Sequence, residues 1–196
     1  WRYIGSLDSQ KKTQIKDRIT GVFFRAEQEG RFPRHPAFET EYLRQYPAFK
    51  MIEDSYPIIR EECEALMASR GKLVPMASLG GGYTAGDIHV AQWTTLMFKS
   101  GQFIEENCAL APRTADILRK IPRVYTAFFS VLEPHQHIAP HYGYYKGFLR
   151  YHMGVLIPSN NVDETCWIRV NANQADNDAD DKTLIENGER YCWHDG

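Results

Sequence analysis

The stretch FLRYHMGVLI, residues 148–157, constrains the fold of this 196-residue chain strongly. Its aromatic, aliphatic and β-branched residues predict a β-strand. Side chains two apart share one face of a strand, so we expect Arg150 and His152 to point to one side and Tyr151 and Met153 to the other. Because apolar residues surround this polar pair, we interpret Arg150 and His152 as groups that project into a barrel.

Two further β-type runs, over 124–132 and 166–170, accompany this stretch, and Pro, Gly and Asn clusters separate the three. Such spacing is typical of a sandwich or barrel of short strands. A buried guanidinium needs an anionic partner, so Arg150 predicts either a carboxylate of the protein or a bound carboxylate. Ser130 alternates onto one face of the 124–132 strand and is a candidate for contacting the same anion.

The N-terminal third is predicted to be helical. Apolar residues recur at helical spacing over residues 9–29, in a helix that ends at Gly30. A second helix is expected to begin at Ser55, whose hydroxyl would cap it, and to stop at Gly71. The apolar stripe of this second helix consists of Ile59, Cys63, Leu66 and Met67.

The whole chain is predicted to form one mainly β domain with flanking helices. Its helical region covers residues 1–75 and packs outside a β core over residues 88–196. A strand over 90–99 and a short helix over 112–119 precede the three β-type runs. Gly80-Gly81-Gly82 lacks the GK[ST] continuation of a phosphate loop, so we interpret it as a flexible turn.

Composition excludes several classes of partner. The net charge of −2 and the pI near 6.4 create no field that would attract nucleic acid or an anionic membrane surface.

Four irregularly spaced cysteines predict free thiols in a reducing compartment such as the cytoplasm, with two disulfides as the alternative. The start at Trp1 is typical of a processing boundary, which leaves a membrane-associated parent protein as an alternative. The acidic stretch 176–181 is interpreted as a solvated loop.

Histidines concentrate in one part of the sequence. Four of the seven fall within 18 consecutive positions, namely His135, His137, His141 and His152. Non-haem iron oxygenases use a His-x-Asp/Glu pair and a later histidine on one face, which leaves open positions on the metal. In this sequence Gly143 occupies the acid position after His141. Taken from the residues alone, that glycine weakens the prediction of an iron site.

A resemblance to a known family changes the interpretation of Gly143. The residues that carry it are Ser130-Val131-Leu132, Pro134, His141-Tyr142-Gly143, Leu149 to Gly154 and Ile157-Pro158. They resemble the signature of the aspartyl/asparaginyl β-hydroxylase family, in which the carboxylate ligand is absent and His-x-Gly is expected. A weaker resemblance extends from Trp93 to Gly196. The resemblance implies a double-stranded β-helix, or jelly-roll, core.

The same resemblance implies an Fe(II)/2-oxoglutarate-dependent dioxygenase that uses O2 to hydroxylate an unactivated carbon. By position, His141 would bind Fe(II), while Ser130, Arg150 and His152 would bind the carboxylates of 2-oxoglutarate. The family's distal iron-binding histidine follows a Trp-x-x-Gly turn, which here is Trp193-x-x-Gly196. We therefore expect that ligand on a C-terminal segment beyond this sequence, without which the protein would be inactive, and His194 is the less favoured candidate.

The substrate pocket is harder to predict. Trp93, His135 and His137 are candidates for lining it, with a core position for Trp93 and a solvent-facing position for the two histidines as alternatives. The resemblance favours the β-carbon of an Asp/Asn-type residue or amino acid, in a small-molecule, peptide or carrier-bound substrate. Alternatives are a lipid A acyl-chain hydroxylase, a non-catalytic carboxylate-binding β-barrel and, last, a zinc site.

Overall fold

The structure is a computed structural model of the chain. It describes residues 9–69, 72–79, 93–138, 140–141, 146–173, 176 and 179–196. The predicted helix stop at Gly71, the predicted turn at Gly80–Gly82 and the glycine of the His-x-Gly element, Gly143, therefore lie outside the described residues.

The larger sheet is built on two long antiparallel strands, β2 (Trp93–Ser100) and β4 (Thr126–Leu132). They pair from Trp93↔Leu132 to Ser100↔Thr126, with an irregularity between Met97 and Lys99. Two short strands, β1 (Val74–Pro75) and β3 (Gln102–Phe103), pair with the two ends of β2. The strands predicted over 90–99 and 124–132 are thus confirmed within the described residues.

A smaller sheet contains β5 (Trp167–Val170) and β6 (Glu189–Cys192), which are antiparallel. The short helix α7 (Asp181–Glu186) lies between them in sequence, and the Asp180 carboxylate caps it by accepting the Thr183 N–H at 2.8 Å. Asp176 accepts bonds from the amides of Asn171 and Asn187. Asp176 and Asp180 of the acidic stretch therefore organise their own loop.

The predicted helices form with nearly the expected bounds. The helix over 9–29 is α1 (Ser9–Gln28), and the chain leaves it through Gly30, whose φ of 68° a glycine adopts without strain. The remaining helices are α2 (Tyr42–Gln45), α3 (Phe49–Asp54), α4 (Tyr56–Ala68), α5 (Glu105–Cys108) and α6 (Pro112–Lys120). Two 3-10 turns cover Met76–Leu79 and Pro158–Asn161.

The core lies between the helices and one face of β2 and β4. On α4, the predicted stripe is confirmed, with Ile59, Cys63 and Leu66 buried and Met67 partly buried against them. The other buried members of this core are Ile52, Leu96, Phe98, Cys108, Ala111, Ala115, Ile117, Ile121 and Phe129. Helices α3 to α6 therefore pack against the sheet, and α4 is fixed by apolar contacts along one face.

All four cysteines are free, as predicted, and Cys63 and Cys108 are buried. Burial raises the pKa of the Cys63 thiol to about 11, so this side chain is a neutral core residue. Two small sheets are what the described residues contain, and the double-stranded β-helix stays a prediction.

The expected cap of α4 by the Ser55 hydroxyl is wrong. Ser55 makes no side-chain capping bond, and its φ of −94° and ψ of 5° are not the extended conformation of a typical N-cap. The reason is that α3 runs directly into Ser55, whose carbonyl accepts the N–H groups of Ile58 and Ile59 at 3.0 and 3.1 Å. One residue thus joins the two helices through its backbone.

The strand predicted over 148–157 does not form in the described residues. The backbone of this segment bonds to the backbone N–H of Gly196 at Gly154 and to two side chains. The carbonyl of Val155 accepts the Tyr56 hydroxyl at 3.2 Å, and the N–H of Ile157 donates to Asp195 at 3.0 Å. Backbone groups that are bonded in this way need no ladder partner.

The predicted division of side chains between two sides holds in part along this segment. Tyr151, Met153 and Val155 pack against the helical core, whereas Arg150 and His152 are exposed. The alternation therefore holds from Arg150 to Met153 and ends before Leu156, which also packs against the core. The strand that was inferred from it is wrong.

Glu62 is a buried carboxylate on α4 that the apolar stripe did not reveal. It accepts the backbone N–H groups of Arg113 and Thr114 at 3.0 and 2.7 Å, and the Thr114 hydroxyl at 2.7 Å. These groups belong to the first turn of α6, where N–H groups lack partners within the helix. Burial opposes ionisation of Glu62, but the bonds from Thr114 and Arg113 outweigh it and lower its pKa.

The Glu62 cap predicts a stability loss. Glu62→Gln should lower the free energy of unfolding in urea by about 2 kcal/mol, because charged acceptors make the stronger bonds. The control Glu61→Gln removes an exposed ion pair to Arg113 and should cost about 0.5 kcal/mol or less. Because the folded-state pKa of Glu62 is lowered, its contribution is present above pH 4.5 and is lost as the pH falls below it. Equal stability of the two variants would contradict the cap.

Candidate functional site

The first sheet brings two predicted site residues together. Trp93 begins β2 and is a diagonal neighbour of Ser130, since Ser130 pairs with Thr95. The indole Nε1 of Trp93 donates to the Ser130 hydroxyl oxygen at 2.9 Å. Because an indole can only donate, this bond uses Ser130 as an acceptor and leaves its hydroxyl proton to be donated elsewhere.

The segment 148–157 presents Arg150 and His152 together. The Arg150 guanidinium carbon lies 5.6 Å from the centre of the Phe148 ring, within range of a cation–π contact. The His152 ring stacks on Trp193, with centroids 5.6 Å apart and an interplanar angle of 25°. Trp193 was not among the predicted site residues, although the Trp193-x-x-Gly196 turn that contains it was recognised.

His152 is held in its neutral form. Burial is the larger cause and the positive charge of Arg150 the smaller, and together they lower the pKa of His152 from 6.5 to about 4. The side chain nevertheless keeps an exposed surface, so Trp193 covers the ring only in part. At neutral pH this imidazole offers one N–H donor and one lone pair, with no charge.

The loop that carries His135, His137 and His141 follows β4. His135 has a φ of 62°, in the left-handed region that non-glycine residues rarely adopt, and the chain turns there. The ring of His137 lies 5.7 Å from that of Trp167, which joins this loop to β5. His141 is exposed, and residues 142–145 lie outside the described part. The union of His141 with Ser130, Arg150 and His152 in one site stays a prediction.

Within the described ranges, no group of three or more His, Cys, Asp or Glu side chains is placed to hold a metal ion. A recess of about 480 Å³ lies elsewhere, between the loop after α1 and the ends of β5 and β6. Its lining residues are Arg34, His35, Pro36, Ala37, Ala172, Asn173 and Glu189. None of the predicted site residues lines it.

The C-terminal turn lies directly against the segment that carries His152. The N–H of Gly196 donates to the carbonyl of Gly154 at 2.9 Å, and the N–H of Trp193 donates to Cys166 at 2.9 Å. A Cβ atom at position 154 would overlap the carbonyl oxygen of His194. Glycine is therefore required at 154 by the close approach of two backbones.

With this geometry established, comparison with known proteins defines the class. The family model for aspartyl/asparaginyl beta-hydroxylase matches residues 53–186. The chain belongs to the aspartyl/asparaginyl β-hydroxylase family. The match begins in α3 and includes α4, so the family region extends further towards the N-terminus than the resemblance in the sequence indicated.

Two relatives are similar over much of this chain. An ornithine lipid ester-linked acyl 2-hydroxylase from Rhizobium tropici is 31% identical over 126 residues, which are 64% of this chain and 44% of that protein. The aspartyl/asparaginyl beta-hydroxylase of Homo sapiens is 30% identical over 154 residues, which are 74% of this chain and 19% of that protein. The chain thus spans less than half the length of these relatives. No solved structure gives a significant match.

Within the described ranges, no helix combines the length and the apolar character that a membrane span requires.

The low pKa of His152 is open to direct measurement. In a proton NMR titration its ring signals should have a midpoint near pH 4, and Arg150→Gln should raise it while leaving it below 6.5. Because the unfolded chain binds this proton at higher pH, stability should fall as the pH drops from 6.5 towards 4. A midpoint near 6.5 in the wild type would show that the ring is not desolvated.

The contact at Gly154 predicts opposite effects for two glycine substitutions. Gly154→Ala should lower the free energy of unfolding by about 2 kcal/mol or more, because one of the two backbones must move. Gly21→Ala, in α1 with open space around its Cβ, should raise it by about 0.5 to 1 kcal/mol. Urea unfolding of both variants checks this, and a neutral Gly154→Ala would refute the close approach.

Proposed function

We propose that this chain forms the core of an Fe(II)/2-oxoglutarate-dependent dioxygenase that hydroxylates an unactivated carbon. The observation that carries the proposal is the exposed pair of a cationic Arg150 and a neutral His152, inside the region that matches a family of hydroxylases. A cation beside an uncharged hydrogen-bonding ring is suited to a small carboxylate ligand.

The described side chains fit the groups that this reaction needs. The imidazole of His141 is a ligand type that iron accepts. 2-Oxoglutarate carries two carboxylates, and the planar fork of Arg150 matches a carboxylate through two parallel bonds. When bound, Fe(II) with 2-oxoglutarate and O2 supplies the oxidising chemistry that no side chain can provide.

The chain's own residues would position the cosubstrate. Arg150 would fix one carboxylate in orientation, and the hydroxyl proton of Ser130 is left for an anion because Trp93 donates to its oxygen. His152 would add one N–H bond without a second positive charge, since its pKa is about 4. Trp193, which covers one face of the His152 ring, would limit the access of water to that bond.

The substrate proposal draws on the names of the relatives. The human relative is named for hydroxylation at the β position of aspartyl and asparaginyl residues, and the Rhizobium relative for hydroxylation at position 2 of an acyl chain. Both positions are carbons next to a carbonyl group. We therefore propose an Asp/Asn-type β-carbon as the first candidate. A lipid acyl chain is the second candidate. It is kept because this chain matches a larger share of the Rhizobium relative, 44%, than of the human relative, 19%.

Arg150→Ala tests the cosubstrate site. It should weaken binding of 2-oxoglutarate, measured by calorimetry with Fe(II) under anaerobic conditions, by about 30-fold or more, because an ionic partner is lost. The wild type should also release succinate from 2-oxoglutarate in air. Arg44→Ala, on the exposed helix α2, is the control and should keep wild-type affinity. Unchanged affinity of Arg150→Ala would remove this residue from the site.

Analysis of the reaction products then tests the class of reaction and identifies the substrate. Gain of one oxygen atom by an Asp-containing peptide supports the first candidate, and gain by an acyl lipid supports the second. Binding of 2-oxoglutarate without succinate formation would contradict the enzyme and leave the non-catalytic carboxylate-binding barrel.

A further inference from the structure

Helix α4 reaches the C-terminal turn through two polar side chains. The Nη1 atom of Arg60 donates to Asp195 Oδ2 at 2.8 Å and to the Tyr56 hydroxyl at 2.7 Å. The Tyr56 hydroxyl in turn donates to the carbonyl of Val155 at 3.2 Å. We call the set of Tyr56, Arg60 and Asp195 the turn clamp. It links α4 both to the turn at 193–196 and to the segment that carries His152.

Asp195 is the centre of the turn clamp. While its Oδ2 atom pairs with Arg60, its Oδ1 atom accepts the N–H of Ile157 at 3.0 Å. Burial raises the pKa of Asp195, but the bonds from Ile157 and Arg60 outweigh it and lower the pKa. One carboxylate therefore bonds both to Arg60 on α4 and to Ile157, which lies 38 residues before Asp195 in sequence.

The residues that join the two backbones follow the two stacked rings closely in sequence. Gly154 follows His152 by two positions and accepts the N–H of Gly196, while Asp195 follows Trp193 by two. Since the two backbones are joined at these points, the approach of the His152 and Trp193 rings follows from the joint. The rings stack at 5.6 Å with an angle of 25°.

Stability alone does not account for this arrangement. The side chains of Arg60 and Asp195 are 37% and 26% exposed, and such ion pairs contribute little to stability. Arg60 also pairs with Glu64 at 2.9 Å, a contact within α4 that does not touch the turn. The contact with Asp195 differs, because it reaches the turn whose Trp193 stacks on His152, a predicted cosubstrate residue.

We propose that Arg60 and Asp195 are positioning residues: their ion pair sets the distance and angle between the rings of His152 and Trp193, and thereby the geometry of the 2-oxoglutarate site. The second clause rests on the proposed function, while the first stands on the contacts of the chain itself. Neither residue is placed in contact with the cosubstrate. Their effect passes through His152.

The first arm of the test needs no ligand. Stacking on an indole shifts the ring protons of His152 in the NMR spectrum, so Asp195→Asn and Arg60→Gln should move these signals towards their unstacked positions. Asp195→Asn keeps an acceptor for Ile157 and removes the negative charge that pairs with Arg60. Arg60→Lys should restore the signals in part, and Glu64→Gln should leave them unchanged because it breaks the other ion pair of Arg60.

The second arm measures the affinity for 2-oxoglutarate by calorimetry with Fe(II) and no oxygen. Asp195→Asn and Arg60→Gln should weaken it by about five- to twenty-fold, and Glu64→Gln should not change it. If the wild type binds no 2-oxoglutarate, the proposed function fails, and the ring signals still decide whether the ion pair positions His152.

Unchanged ring signals in both Asp195→Asn and Arg60→Gln would overturn the proposal. Normal thermal unfolding shows that the variants fold. Should either fail to fold, Tyr56→Phe removes the hydroxyl that Arg60 and Val155 share, and should shift the signals by a smaller amount. In that case, unchanged ring signals both in Tyr56→Phe and in whichever of Asp195→Asn and Arg60→Gln does fold would also overturn the proposal. A shift in Glu64→Gln as large as in Asp195→Asn would do so as well.

Discussion

The joint between Gly154–Ile157 and the turn at 193–196 is the contact on which the candidate site depends. Its backbone bond, the Asp195 carboxylate and the approach at Gly154 hold two distant parts of the chain together. Helix α4 anchors this joint, because its apolar face is fixed in the core and its polar face carries Arg60. If Arg60 and Asp195 position His152 as we propose, the core determines the candidate site through a helix that contributes no predicted ligand.

Sequence reasoning predicted the helices and strands whose periodicity is strong. It failed at 148–157, because alternation of side chains does not distinguish a strand from a segment whose backbone bonds to side chains such as Tyr56 and Asp195. Glu62 was missed for a related reason. Its partners lie 51 and 52 residues further along the chain, where α6 begins, and no local pattern connects them.

The candidate site was predictable in composition more than in arrangement. Alternation and the family resemblance together indicated Ser130, Arg150 and His152. The bond from Trp93 to Ser130 depends on strand register, which the sequence does not show. The stacking of His152 on Trp193 depends on where the C-terminal turn lies. The role of Arg60 had no signal in sequence, since its partner lies 135 residues away. Family membership, which the match over 53–186 shows, places α4 within the shared region.

The most direct measurement of the central claim is side-chain NMR of Arg150 and His152 while 2-oxoglutarate is added. Both groups should shift together and saturate at one ligand concentration, because the account places them on the same cosubstrate. The recess near Arg34 provides the internal comparison, since its residues line another part of the surface. Shifts confined to Arg34 and His35, with Arg150 and His152 unchanged, would contradict the account.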